Sequence, residues 1–153
     1  MIIYLEDFFR TGYFGEITLG ATKQSVLDYL EPADSDNLMG DIGASLLYGC
    51  YELFFYNNDT LHYIQNDSYC ADNPLTYQFC NSRFGIDTWF FNKTLQDIYS
   101  IMQLLKKCNI DFQLIDYHAR PVLKTHTGIH IDFVEDTNEL GIKPLNAFFY
   151  SAD

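Results

Sequence analysis

The sequence predicts an α+β fold, an antiparallel sheet with two principal helices packed on it, in a single domain over residues 1–153. Three observations carry this expectation. Two runs begin with a polar capping residue, Thr22 and Thr94, and continue with apolar residues at helical spacing. Short β-rich stretches bounded by turn residues fill much of the remainder. The chain has 153 residues, 48% of them hydrophobic. A chain of that size buries roughly 68–70% of its unfolded surface, so its core needs no metal or disulfide.

Taken in order, Ile2, Leu5, Phe8 and Phe9 share a helical face ahead of Gly12, which predicts a short helix with a glycine stop over residues 2–11. Tyr13 to Leu19 alternates and reads as a strand. Thr22 caps a helix striped by Val26, Leu27 and Leu30, and Pro32 ends it. The run 33–37 (Ala33-Asp34-Ser35-Asp36-Asn37), extended through Asp41 and Gly43, reads as a polar loop. Ser45–Cys50, Tyr51–Tyr56 and Thr60–Gln65 read as strands, with turn chemistry at Asn57-Asn58-Asp59. Ile86–Phe91 reads as another strand. Thr94 then caps the strongest helix, with Asp97 completing a capping box, Ile98, Ile101, Met102, Leu104 and Leu105 on its apolar face, Lys106 and Lys107 on the C-terminal dipole, and Asn109 as the stop. Strands are predicted at Phe112–Tyr117, Val122–Thr125, Ile129–Phe133 and within Ile142–Tyr150, where Pro144 should hold the last one at an edge or shorten it. The two halves carry the same order of signals. Residues 13–67 and 86–150 form possible pseudo-repeats, with Tyr51–Phe55 matching Gly128–Phe133.

Nine Lys and Arg stand against twenty-one Asp and Glu, a formal net charge of −12. That sign opposes binding to nucleic acid, which requires positive potential to displace counterions. It equally opposes binding to an anionic membrane surface. It favours solubility, and steered association with a basic partner. Twelve tyrosines and thirteen phenylalanines exceed what a core holds with every hydroxyl satisfied, so some are expected at the surface as contact residues. No run approaches the roughly 18–20 apolar residues of a membrane span. Met1–Asp7 lacks a basic segment and is interrupted by acids, so a cytoplasmic location is expected. The scattered Cys50, Cys70, Cys80 and Cys108 are then expected as free thiols.

Signatures of common chemistry are missing from the sequence. Neither phosphate-cradling glycine motif occurs, nor the G-x-S-x-G elbow of a hydrolase serine. No cofactor is expected. His126 and His130, with Asp132, would share one face of an unbroken strand and offer zinc-type ligands, but Gly128 interrupts that span. Carboxylate pairs such as Asp132 with Glu135, or Glu52 with Asp59, are the other candidates for chemistry.

Ile17-Thr18-Leu19-Gly20 leads into the Thr22-capped helix ending at Leu30-Glu31-Pro32, and Tyr48-Gly49 precedes the apolar strand Tyr51–Tyr56. Over residues 17–56 this string resembles small bacterial helix-plus-sheet binding domains: outer-membrane assembly lipoproteins, the tandem-repeat β-lactamase inhibitor proteins, and immunity proteins. Glu31 stands where that pattern carries Gly. The resemblance implies a binding domain. With the charge, it suggests a non-enzymatic protein that occludes the site of a basic partner, as an immunity protein neutralises a toxin. The expected contact residues are Asp34, Asp36 and Asp41, then Asp67, Tyr69 and Asp72, then Glu135, Asp136 and Glu139. The alternative is a small enzyme or ligand-binding domain using a carboxylate pair or the His126 and His130 site in an aromatic cleft. An aromatic strand at a sheet edge could also pair two copies into a homodimer.

Overall fold

The computed structural model describes residues 1–56, 59–67, 84–90, 97–134 and 145–151. Leu5, Phe8 and Phe9 fall on one helical face, and α1 (Leu5–Thr11) buries all three. Gly12 stops the helix at φ +78, its N–H donating to the Phe8 carbonyl. A Cβ there would meet the Tyr150 hydroxyl at 2.7 Å, so glycine serves both the left-handed turn and the close approach. The predicted helix starts later than its periodicity suggests, because Ile2–Ile3 forms a short strand, β1, parallel to β6 (Gly85–Ile86). That pairing delivers Asp87 to the helix start. Tyr4 at the N-cap has no side-chain acceptor in use, and Asp87 Oδ1 instead accepts the Leu5 N–H at 3.0 Å. Burial holds the Asp87 carboxyl above the usual carboxylate range, against the Leu5 and Trp89 N–H groups that favour its ionised form.

Among the described residues eight strands form one sheet. They are β2 (Ser35–Leu38), β3 (Gly43–Tyr48), β4 (Tyr51–Tyr56), β5 (Leu61–Asn66), β7 (Phe112–Tyr117), β8 (Arg120–Thr125), β9 (Ile129–Phe133) and β10 (Leu145–Ser151), in the order β2-β3-β4-β5-β10-β9-β8-β7. Every neighbouring pair is antiparallel. The helix α2 (Lys23–Leu30) precedes the meander β2 to β5, and α3 (Ile98–Lys107) precedes the meander β7 to β10. The two meanders join where β5 pairs β10. Tyr51–Phe55 and Gly128–Phe133, matched in the sequence, lie on the third strand of each meander.

Alternation along the strands places Leu46, Leu53, Ile64, Phe148, Ile131 and Leu123 on one face, in one buried cluster with residues from all three helices. Phe148 is its aromatic hub. Its ring lies 6.3 Å from Phe8, 5.3 Å from Phe9, 6.0 Å from Tyr51 and 5.7 Å from Phe90, mostly in tilted or edge-to-face geometry. The fold is therefore the predicted α+β class, with helices covering one face of an antiparallel sheet.

Several elements differ from expectation, each for a local reason. Tyr13–Leu19 is a tight turn with a single bridge between Phe14 and Ile17, because Gly15 takes φ +66 where a strand would run straight on. The polar loop expected at 33–37 contains strand β2, whose residues pair from Ser35↔Leu47 to Leu38↔Ala44. Of the strand expected at Ile86–Phe91, residues 86–90 supply only the end of β6 and bend at 88–90 so that Phe90 enters the core, while Phe91 lies outside the described residues. Asp97 does not complete a capping box; it is the N-cap itself, accepting the Ser100 N–H at 2.7 Å, and Thr94 lies outside the described residues. Of the two outcomes expected around Pro144, itself outside the described residues, the strand β10 is not at an edge, since it is paired on both sides, and it begins only at Leu145. Thr22 caps α2 as its spacing predicts, and the Glu31 backbone before Pro32 leaves the α region, at φ 63 and ψ −173.

Gly43 begins β3 at φ +146, where an added Cβ would lie 1.8 Å from the Phe55 carbonyl oxygen. That oxygen is fixed backbone of the partner strand, so nothing flexible can yield. Gly43→Ala is expected to destabilise the chain by at least about 2 kcal/mol, combining overpacking with backbone strain. Urea denaturation measures this, and a midpoint equal to wild type would show that the β3–β4 ladder absorbs the side chain.

Candidate protein-interaction surface

Among the described residues β2 pairs with β3 on one side and ends the sheet on the other. After Leu38 the chain turns through a 3-10 segment, Gly40–Ile42, with Gly40 at φ +61. The turn is closed by Met39 N–H to the Gly43 carbonyl (2.9 Å) and Ile42 N–H to the Met39 carbonyl (3.3 Å). These bonds fix the segment, and its apolar side chains face outward. Leu38 is 85% exposed, Ile42 64% and Tyr56 53%, with Met39 also exposed. The register brings them to one end of the sheet, because Leu38 pairs Ala44 and Gly43 pairs Tyr56, with Leu38 on the helix-bearing face and Tyr56 on the other. The Tyr56 ring is held by stacking on His62 at 4.2 Å and 28°. Exposed acids border the patch: Asp36 on β2, Asp41 in the turn, and Asp59 after β4. Asp36 forms an ion pair with Lys23 at 2.7 Å.

The predicted acidic residues do not form one patch. Asp36 and Asp41 belong to this edge. Asp34 instead has a structural role, its Oδ2 accepting the Gly49 N–H at 2.7 Å to close the β3–β4 turn. Asp67 stands by that same turn, where it adds to the burial that raises the Cys50 thiol pKa. Asp34 and Asp67 thus gather at the other end of these strands from Asp41. Tyr69, Asp72, Glu135, Asp136 and Glu139 lie outside the described residues.

Tyr48, beside Asp34, donates its hydroxyl to the Glu31 carbonyl at 3.0 Å. Burial, then Asp34 and Asp36, push its pKa from 10.0 up to about 12. A folded-state pKa above the unfolded value gives stability that is present below about pH 10 and lost as pH rises through about 12. Alkaline denaturation should therefore steepen across that window in wild type and flatten in Tyr48→Phe. Identical profiles would remove Tyr48 as the cause.

The other candidates do not converge. His126 is exposed in the turn after β8, and Gly128 (φ +98) separates it from the buried His130 on β9. The His130 ring stacks on Phe149 at 4.7 Å and 7°. Asp132 Oδ2 takes Arg120 Nη1 at 3.3 Å and Asn146 Nδ2 at 2.9 Å. No group of three metal-ligating side chains occurs among the described residues. Glu52 and Asp59 flank opposite ends of β4, and Glu52 accepts from Gln65 at 3.3 Å. Glu135, the partner suggested for Asp132, is outside the described residues. Cys50 and Cys108 are free thiols, and Cys108 Sγ accepts from Trp89 Nε1 at 3.4 Å.

Charge alone could pick out Asp36 and Asp41. The apolar members Leu38, Met39 and Ile42 had no such signal, since a leucine after a polar run reads equally as core or surface. No helix among the described residues is long and apolar enough to cross a membrane. No protein-family model, characterised protein or solved structure matches this chain.

Proposed function

We propose that this chain is a non-enzymatic binding protein that docks a basic protein at the β2 edge. The observation that carries this reading is the exposed apolar pair Leu38 and Ile42 at the end of β2, with the exposed acids Asp36 and Asp41 in the same segment. Apolar side chains at the centre with charges at the rim is the anatomy of a protein interface. Burying a leucine or isoleucine side chain contributes roughly 1.5–3 kcal/mol, and an edge strand offers backbone groups for β-augmentation. The net charge of −12 selects the sign of the partner and raises the association rate. An immunity protein that occludes the site of a cationic toxin fits this description.

The test is capture of partners by the tagged protein from its native source at low and then moderate salt. Wild type should retain a basic protein that salt weakens, and Leu38→Asp/Ile42→Asp should not retain it. Retention by both would place the interface elsewhere.

A further inference from the structure

Among the described residues the sheet ends on its other side with β7, which pairs only with β8. The hairpin joining these strands shows which backbone groups of β7 are free. His118 and Ala119 both take positive φ, 52° and 62°, in a two-residue turn, so Tyr117 and Arg120 face each other as a hydrogen-bonded pair. Antiparallel bonding recurs at every second residue, and the Asp111 carbonyl accepts the His126 N–H at 2.9 Å in phase with it. Gln113, Ile115 and Tyr117 therefore bond β8, while Phe112, Leu114 and Asp116 direct N–H and C=O to the open side. Pro121, which has no N–H to give, stands opposite Asp116, where no bond is required. Leu114 is 58% exposed. A groove of about 450 Å³ beside the strand is lined by Met102, Lys106, Asn109, Ile110, Asp111 and Phe112.

These groups are evenly spaced about Leu114, which makes the edge complementary to itself. An antiparallel copy centred there sets Leu114 against Leu114, and Phe112 against Asp116 in both directions. All three outward residues then exchange both backbone bonds with the copy. Every other antiparallel register of the two strands joins fewer. The charges suit the same register. Asp116 of one copy lies opposite Phe112 of the other, which lines the groove with Lys106, and Asp111 lies opposite the uncharged Tyr117. No acid stands directly against an acid, whereas a register centred on Asp116 would oppose two carboxylates. We infer that two copies of this chain pair through β7 about a twofold axis at Leu114, giving one continuous sheet across the dimer. The contact is isologous, so it closes at two copies. The net charge of −12 on each chain opposes it, and salt screens that repulsion over a Debye length of about 8–10 Å. Strand β7 lies at the opposite end of the strand order from β2, and pairing there leaves the proposed docking edge free.

Position 114 meets itself only in this arrangement. Leu114→Asp and Leu114→Lys each place two like charges face to face, and an equimolar mixture of the two places opposite charges there. Sedimentation velocity at about 0.5 M salt, from about 10 μM to about 1 mM, covers the range a weak contact populates. Wild-type mass should rise from 17.8 kDa towards twice that value and stop. Lowering the salt to about 0.05 M should weaken the dimer, the reverse of its effect on capture of a basic partner. Each variant alone should bind itself at least about tenfold more weakly than wild type, and the mixture should recover the dimer. Wild type monomeric throughout, growth beyond two copies, a variant that dimerises like wild type, or a mixture that stays monomeric would each overturn the inference. If either variant lacks the wild-type melting profile, Leu114→Glu and Leu114→Arg replace the pair. Leu38→Asp/Ile42→Asp leaves β7 intact and should dimerise like wild type. Leu114→Asp should still capture the basic partner, so either reading can fail without the other.

Discussion

Phe148→Ala is expected to cost about 3–5 kcal/mol, at the top of the range for a single truncation, because it removes a fully buried ring whose neighbours cannot all collapse. Phe148 is 1% exposed and stands on the strand that joins the two meanders. Its loss leaves Phe8, Phe9, Tyr51 and Phe90, from three separate segments, facing a common void. For a chain of this size that cost lowers the melting temperature by roughly 10 °C or more. Tyr99→Ala provides the comparison, since Tyr99 is 75% exposed and its truncation should stay within about 0.5 kcal/mol. Thermal melts of the two variants check the ranking. A loss below about 1 kcal/mol at Phe148, on the scale of an ordinary substitution, would contradict a core organised around β10.

The second large effect falls on binding and leaves stability alone. Leu38→Asp/Ile42→Asp places two carboxylates where the wild-type side chains are 85% and 64% exposed, so unfolding should shift by no more than about 0.5 kcal/mol per site. Partner affinity should fall about 30-fold or more, the consequence of losing a hot spot worth about 2 kcal/mol. Added negative charge alone would strengthen attraction to a basic partner. A drop in affinity therefore reports the apolar contact, and a rise would show that charge dominates and that Leu38 and Ile42 lie outside the interface.

The fold was legible wherever local chemistry and tertiary environment agree. Thr22 with Val26 and Leu30, Gly12 at φ +78, Asn109 at φ +53, and the strand Phe112–Tyr117 all follow from capping, handedness and turn residues acting within a few positions. Strand β2 was not legible, because Ser35-Asp36-Asn37 has loop composition and is extended only by pairing with Leu47, Leu46 and Ser45. The central place of β10 is likewise a non-local fact, set by β5 and β9 on either side. The candidate site was legible through its charge and hidden in its apolar part. Asp36 and Asp41 belong to it. Asp34 carries the same charge in the same run, yet serves the Gly49 N–H. Sequence spacing does not separate these roles, because the difference lies in which backbone group a turn brings within reach.

Amide hydrogen exchange on the free chain and on its complex with the captured basic protein tests the central claim most directly, since backbone protection maps the occupied edge residue by residue. The account predicts slowed exchange across residues 35–43, with the other described strands unchanged. Unchanged exchange across 35–43, with new protection confined to another surface, would contradict it.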